Sequence, residues 1–87
     1  MLKIQITKRV LKFLKQLPQK QALQLKIKLQ ELQTNPFPQN SKSLIGYPNY
    51  HRVSTGEYHI VYHTDRDTLF ISLIGNDEVY KKLKQLL

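Results

Sequence analysis

Residues 50–63, YHRVSTGEYHIVYH, gather the three histidines of the chain, three of its five tyrosines and Arg52. Imidazole, with an ordinary pKa of about 6.5, can give or take a proton near neutral pH. Guanidinium is a permanent cation shaped to hold phosphate, and aromatic rings stack on unpaired bases. Together these are the materials of single-stranded RNA recognition. They are also those of metal-free RNA cleavage, in which a 2′-hydroxyl is deprotonated, attacks the adjacent phosphate, and the leaving oxygen is protonated. The competing readings of the same residues are a metal site and a solvated sheet face.

Gly56-Glu57 lies between two strand-like runs, 50–55 and 58–63. It predicts a two-residue type II′ loop, because glycine supplies the positive φ of the first turn position. Pairing about that loop sets Thr55 opposite Tyr58, Ser54 opposite His59, Arg52 opposite Val61 and Tyr50 opposite His63. Cross-strand partners share a face. Tyr50, Arg52, Ser54, His59, Val61 and His63 therefore point one way, and His51, Val53, Thr55, Tyr58, Ile60 and Tyr62 the other. The second set is the more apolar and is expected against the helices, with His51 a structural residue there; the first set is expected to face outward. His59 and His63 then stand about 13 Å apart, too far to bind one ion, so no metal site is expected.

The elements that must hold this hairpin follow from periodicity. Leu2, Ile4 and Ile6 alternate with Lys3 and Gln5, the pattern of a half-buried strand. From Thr7, a suitable cap, Val10, Phe13, Leu14 and Leu17 form a helical stripe. Pro18 disfavours helical geometry at Leu17 and suits the first turn of a second helix, in which Ala22, Leu25, Leu29 and Leu32 repeat at helical spacing as far as about Asn35. TNPFPQNSKS reads as a loop of about ten residues. After the hairpin and a TDRD turn, the almost wholly apolar TLFISLI, residues 68–74, is expected at the sheet centre. Asn76 or Asp77 can cap a last helix with Val79, Leu83 and Leu86 as its stripe, and Glu78 suits its positive end. Tyr80 either joins Leu83 and Leu87 in the core or faces a substrate. The expected class is α+β, in the order β-α-α-β-β-β-α, with an antiparallel sheet packed against an N-terminal helical hairpin and a C-terminal helix. Residues 1–87 are expected to form one domain, since so short a chain buries only about two-thirds of its surface and cannot divide its core.

The net charge of +8 is unevenly placed. Residues 1–56 carry ten basic side chains and one acid, Glu31, whereas residues 57–87 carry four basic and five acidic ones. Such a field favours a polyanion such as nucleic acid, or an acidic protein partner, although lysines on exposed helix faces also serve solubility alone. The absence of cysteine excludes a disulfide framework and a thiolate metal site. MLKIQITKRV lacks the apolar run of a signal peptide, and no stretch approaches the roughly 18 apolar residues of a spanning helix. A soluble cytoplasmic protein without membrane contact or small-molecule cofactor is expected.

The run SLIGYPNYHRVSTGEYHIVY, followed by an apolar strand and then GNDEVYKKLKQL, resembles the RelE toxins of the RelE/ParE superfamily. In that family the hairpin commonly reads tyrosine, basic, apolar, basic, any residue, Gly, acidic or Asn, Tyr, Arg, then an apolar pair and Tyr, and from Arg52 to Tyr62 this chain follows the frame without a gap, with His51 at the tyrosine position and Tyr50 one residue before it. The resemblance also covers the helical hairpin. It implies the toxin of a type II toxin–antitoxin pair that cuts mRNA in the ribosomal A site, with a cognate antitoxin and ribosome-bound mRNA as partners. By the same resemblance Arg52 keeps the first basic position, Ser54 takes the second, and His59 takes the place of a catalytic Arg. Lys42 and Tyr80 match a basic residue and a tyrosine often used by the nucleases. Arg52, His59 and Tyr80 are thus the expected catalytic residues, and Lys42, Tyr50, Ser54 and His63 the expected RNA contacts. The family tends to place an Arg or His shortly after the glycine of the last strand, where this chain has Asn76 and Asp77, read as helix caps. The departures keep two alternatives open: a ParE-like toxin that binds DNA gyrase without nuclease activity, and a degenerate member that only binds its antitoxin or RNA.

Overall fold

Thr7 caps the first helix as its sequence predicts, its Oγ1 accepting the Val10 N–H at 3.2 Å. This helix, α1 (Lys8–Gln16), follows the opening strand β1 (Lys3–Ile6) and stops where Leu17 turns extended before Pro18. Pro18 is the cap residue of α2 (Gln19–Thr34), one position earlier than the first helical turn. The chain then runs through β2 (Lys42–Ser43), β3 (Tyr50–Thr55), β4 (Tyr58–Asp65), β5 (Thr68–Gly75) and α3 (Asp77–Lys81). This computed structural model describes residues 1–82, so the parts assigned to Leu83, Leu86 and Leu87 lie outside the described residues.

The five strands form one sheet in the order β1-β5-β4-β3-β2. It is mixed, not purely antiparallel as expected, because β1 pairs parallel with β5. Alternation in KIQI specifies which face is buried but carries no information on the direction of the neighbouring strand. Only the path through α1 and α2, which returns the chain to the other edge, decides it. β5 is an inner strand between β1 and β4, and β4 is the central one. The sequence-derived hairpin register is the observed one, from Thr55↔Tyr58 to Tyr50↔His63. Gly56 has φ +58 while Glu57 stays at negative φ, as a type II′ turn requires.

The main core lies between the sheet and the helical hairpin. Val10 and Leu14 of α1 and Leu25, Leu29 and Leu32 of α2 meet Val53, Ile60, Tyr62, Leu69, Ile71 and Ile74 of the sheet. His51, on the same side, packs edge-on to Phe37 with centroids 4.9 Å apart and lies tilted against Tyr62. The Tyr62 hydroxyl donates to the Pro36 carbonyl at 2.6 Å, and burial raises its pKa above the usual tyrosine value.

Two features break the simple picture of one buried and one open face. Where β5 pairs with β4, Val61 lies opposite Leu73 and Tyr62 opposite Ile71, which leaves Ser72 as an extra residue. This bulge reverses the alternation, so that Ile74 enters the main core while Leu73 turns to the other side. Leu73 there covers Val61, which is fully buried although it belongs to the set expected to face outward. Leu44, Tyr50, Val79 and Tyr80 complete this second cluster. The expected open face is covered because α3 folds back over it immediately after β5. A Cβ at Gly75 would stand 2.5 Å from the Val79 side chain, so only glycine permits that close approach.

Candidate functional site

Lys42 and Ser43 end the loop as a two-residue edge strand, and the pairing sets Lys42 directly opposite Arg52. Like charges opposed across a sheet repel. The only ion pairs among the described residues are Lys3–Asp67, Lys28–Glu31 and His59–Asp77, so neither cation is neutralised by a carboxylate. Lys81, on α3, adds a third. Lys42, Arg52 and Lys81 line one cavity of about 500 Å³ with Tyr47, Tyr80, Leu44 and Ile45. The Arg52 guanidinium carbon lies 5.4 Å from the centroid of the Tyr80 ring, within cation–π range. Ile45 is 92% exposed, an unusual setting for so apolar a side chain, on a loop turned at Gly46 (φ +83) and Asn49 (φ +71). The cavity thus offers fixed positive charge, ring faces and an aliphatic wall, the groups that hold a phosphate and an unpaired base.

His59 does not line the cavity itself. Its ring stacks on Tyr80 with centroids 4.8 Å apart and planes 30° apart. Ser54 Oγ lies 3.0 Å from its Nδ1, and Asp77 Oδ1 lies 2.5 Å from its Nε2. The imidazole is therefore held at both nitrogens and against one ring face, with only 16% of its side chain exposed. Asn76 is the cap of α3, its Oδ1 accepting the Val79 N–H at 3.1 Å, which leaves the Asp77 carboxylate for His59.

The structure brings Lys42, Arg52 and Tyr80 together around the cavity and places His59 and Ser54 behind Tyr80 and beside Arg52. It does not bring Tyr50 and His63 there. These two pair with each other at 4.8 Å, His63 lies almost parallel to Phe70 at the same separation, and its Nδ1 is buried without a hydrogen-bond partner. His63 lines a separate cavity of about 170 Å³ with Gln5, Phe70 and Ser72. Tyr50 is spent on the second apolar cluster. The periodic reading missed Tyr47, Lys81 and the contact made by Asp77. Tyr47 sits in an aperiodic loop, and Asp77 was indistinguishable from a cap until Asn76 was seen to fill that role. The one available signal for Lys81 was its place beside Tyr80.

No protein-family model matches the chain, and no curated protein does. Solved structures do. The isolated E. coli RelE toxin is 25% identical, with a TM-score of 0.76 over all of both chains. The toxin in the intact E. coli RelBE toxin–antitoxin complex is 26% identical, with a TM-score of 0.75 over 87% of this chain and 96% of that one. The archaeal RelE–RelB complex from Pyrococcus horikoshii OT3 aligns with a TM-score of 0.76 over 86% of this chain and 93% of that one, at 21% identity. The fold is that of the RelE/ParE superfamily. Within it, the hairpin frame from Arg52 to Tyr62 and the two E. coli neighbours support a RelE-like toxin of a type II toxin–antitoxin pair.

Proposed function

We propose that the protein is a ribosome-dependent mRNA endonuclease that arrests translation in the cytoplasm. The observation that carries this reading is the trio Lys42, Arg52 and Lys81, without a carboxylate partner among the described residues, around one cavity walled by Tyr47 and Tyr80. Lys42 and Arg52 hold the scissile phosphate and oppose the charge that builds on it during 2′-oxygen attack. His59 and Tyr80 move the protons, the former taking one from the 2′-hydroxyl and the latter supplying one to the leaving 5′-oxygen. Anion binding also relieves the repulsion between Lys42 and Arg52.

The cognate antitoxin is the second partner, as in the complexes of E. coli and Pyrococcus horikoshii RelE. Leu23 and Ile27 of α2 are 56% and 48% exposed on one helix face, a surface suited to an amphipathic segment. Copurification with the product of the adjacent reading frame tests this, and recovery of the toxin alone counts against it.

Primer extension on a translated mRNA after induction tests the nuclease. New 5′ ends within the coding region are expected, and intact transcripts in arrested cells would sink the reading. A non-cleaving member is favoured by one observation, the engagement of both His59 nitrogens by Ser54 and Asp77. In that case, induction leaves mRNA whole, and DNA-damage signalling separates a gyrase-binding toxin from one that only binds antitoxin or RNA.

A further inference from the structure

Ser54, His59 and Asp77 form an unbroken line of contacts across β3, β4 and the first turn of α3. A carboxylate oxygen accepts hydrogen bonds and does not donate, so the contact between Asp77 Oδ1 and Nε2 requires the proton to be on Nε2. In the neutral ring Nδ1 is then bare and can only accept, which makes Ser54 the donor at 3.0 Å. The stack on Tyr80 sets the plane of the ring, and a flip of the imidazole would replace both nitrogens by carbons and lose the contacts to Ser54 and Asp77. Asp77 is free for this contact because Asn76 caps the helix. Ser54 itself is exposed, and it lies two residues along β3 from Arg52 on the same face.

We propose that Asp77 is a positioning residue that fixes His59 as its Nε2–H tautomer and thereby makes the Ser54 hydroxyl the exposed end of a proton relay. The proposal rests on the nuclease reading above for its use. In the cleavage step the 2′-hydroxyl proton passes to Ser54 Oγ as the Ser54 proton passes to His59 Nδ1, leaving an imidazolium held against Asp77. The 2′-oxygen bonds to phosphorus, the bond from phosphorus to the 5′-oxygen breaks, and that oxygen takes the Tyr80 hydroxyl proton. Tyr80 regains a proton from solvent, and the imidazolium returns its own to solvent. The relay gives a chemical role to an imidazole standing where the resemblance expects arginine. A fixed cation cannot accept a proton, whereas a histidine oriented by a carboxylate can.

Nitrogen NMR of the His59 ring in the ¹⁵N-labelled full chain, read beside cleavage of a translated mRNA, tests this. The wild-type ring should show a protonated Nε2 and a bare Nδ1. Asp77→Ala should mix the two tautomers and slow cleavage by about 10- to 100-fold, the usual effect of losing a group that orients a functional imidazole. Asp77→Glu should restore the tautomer and most of the rate, and Ser54→Ala should keep the tautomer while losing the same factor in rate. The backbone amide spectrum of each variant checks that α3 still docks, which the Asn76 cap favours. A wild-type ring protonated on Nδ1, or an Asp77→Ala ring and rate unchanged from wild type, overturns the proposal. A wild-type ring fixed as expected in a chain that cuts no RNA overturns the nuclease reading alone, since the tautomer is read without turnover.

Discussion

On the helix side of the sheet Leu25, Leu32, Ile60, Tyr62 and Leu69 are all fully buried, and the residues around them are apolar almost without exception. On the opposite side Val61 and Leu73 are the buried side chains among the described residues, Leu44, Tyr50, Val79 and Tyr80 pack on them, and Lys42, Arg52 and Lys81 line the cavity beside Tyr80. The first side gains free energy from every apolar group it removes from water. The second side holds Lys42 against Arg52 at an electrostatic cost, and its few buried residues serve to seat α3 and Tyr80. One face secures the fold, and the other keeps a charge imbalance that, under the proposed function, a bound phosphate would relieve.

Substitutions on the two faces should separate these roles. Leu32→Ala, on the helix face, should lower the free energy of unfolding in urea by about 3 kcal/mol, the usual effect of emptying a closed aliphatic site. Arg52→Ala, on the other face, should lower cleavage by about 100-fold, the scale of losing one group that stabilises transition-state charge, with unfolding in urea little changed. A large loss of stability with Arg52→Ala would break the comparison. Gly75→Ala should act between the two, because its Cβ displaces Val79 and with it Tyr80. A fall in cleavage of roughly tenfold is expected, with the main core intact, from a small misplacement of reacting groups. Near-ultraviolet circular dichroism would follow the tyrosines.

The smallest effect concerns Tyr62. Its folded-state pKa is raised by burial, so the neutral phenol contributes stability that is present below pH 10 and lost as pH rises through the higher folded value. Urea midpoints measured from pH 8 to pH 11 should therefore fall above pH 10, and Tyr62→Phe should remove its share of that fall. The same variant should cost about 1 kcal/mol at neutral pH, since the Pro36 carbonyl loses its donor. An equal alkaline loss in Tyr62→Phe would assign the effect to other groups.

The hairpin was legible because a two-residue loop at Gly56-Glu57 leaves one register, and that register set Ser54 opposite His59 and Arg52 opposite Val61 without any knowledge of the fold. The helices were legible in the same way, through the leucine spacing in α2 and the Thr7 cap of α1. Lys42 and Tyr80 came instead from the family resemblance. The opposition of Lys42 to Arg52 was not legible, because a strand of two residues has no period to detect. Nor was the turn of Leu73 away from the main core, since TLFISLIG is apolar on both sides of the bulge and offers no contrast in polarity.

By itself the sequence determined what local rules determine: the helices, the hairpin register, the two sets of residues on its faces, and the excess of positive charge in the first two-thirds of the chain. Tertiary structure alone decided that β1 runs parallel to β5, that α3 covers the supposedly open face, and that Asp77 reaches His59 while Tyr50 and His63 stay apart from the cavity. The physical reason is one of range. Periodicity and turn chemistry act over a few residues and leave their mark in the order of side chains. A contact such as that between Asp77 and His59, 18 residues apart, exists only once Gly75 has let the helix close upon the sheet.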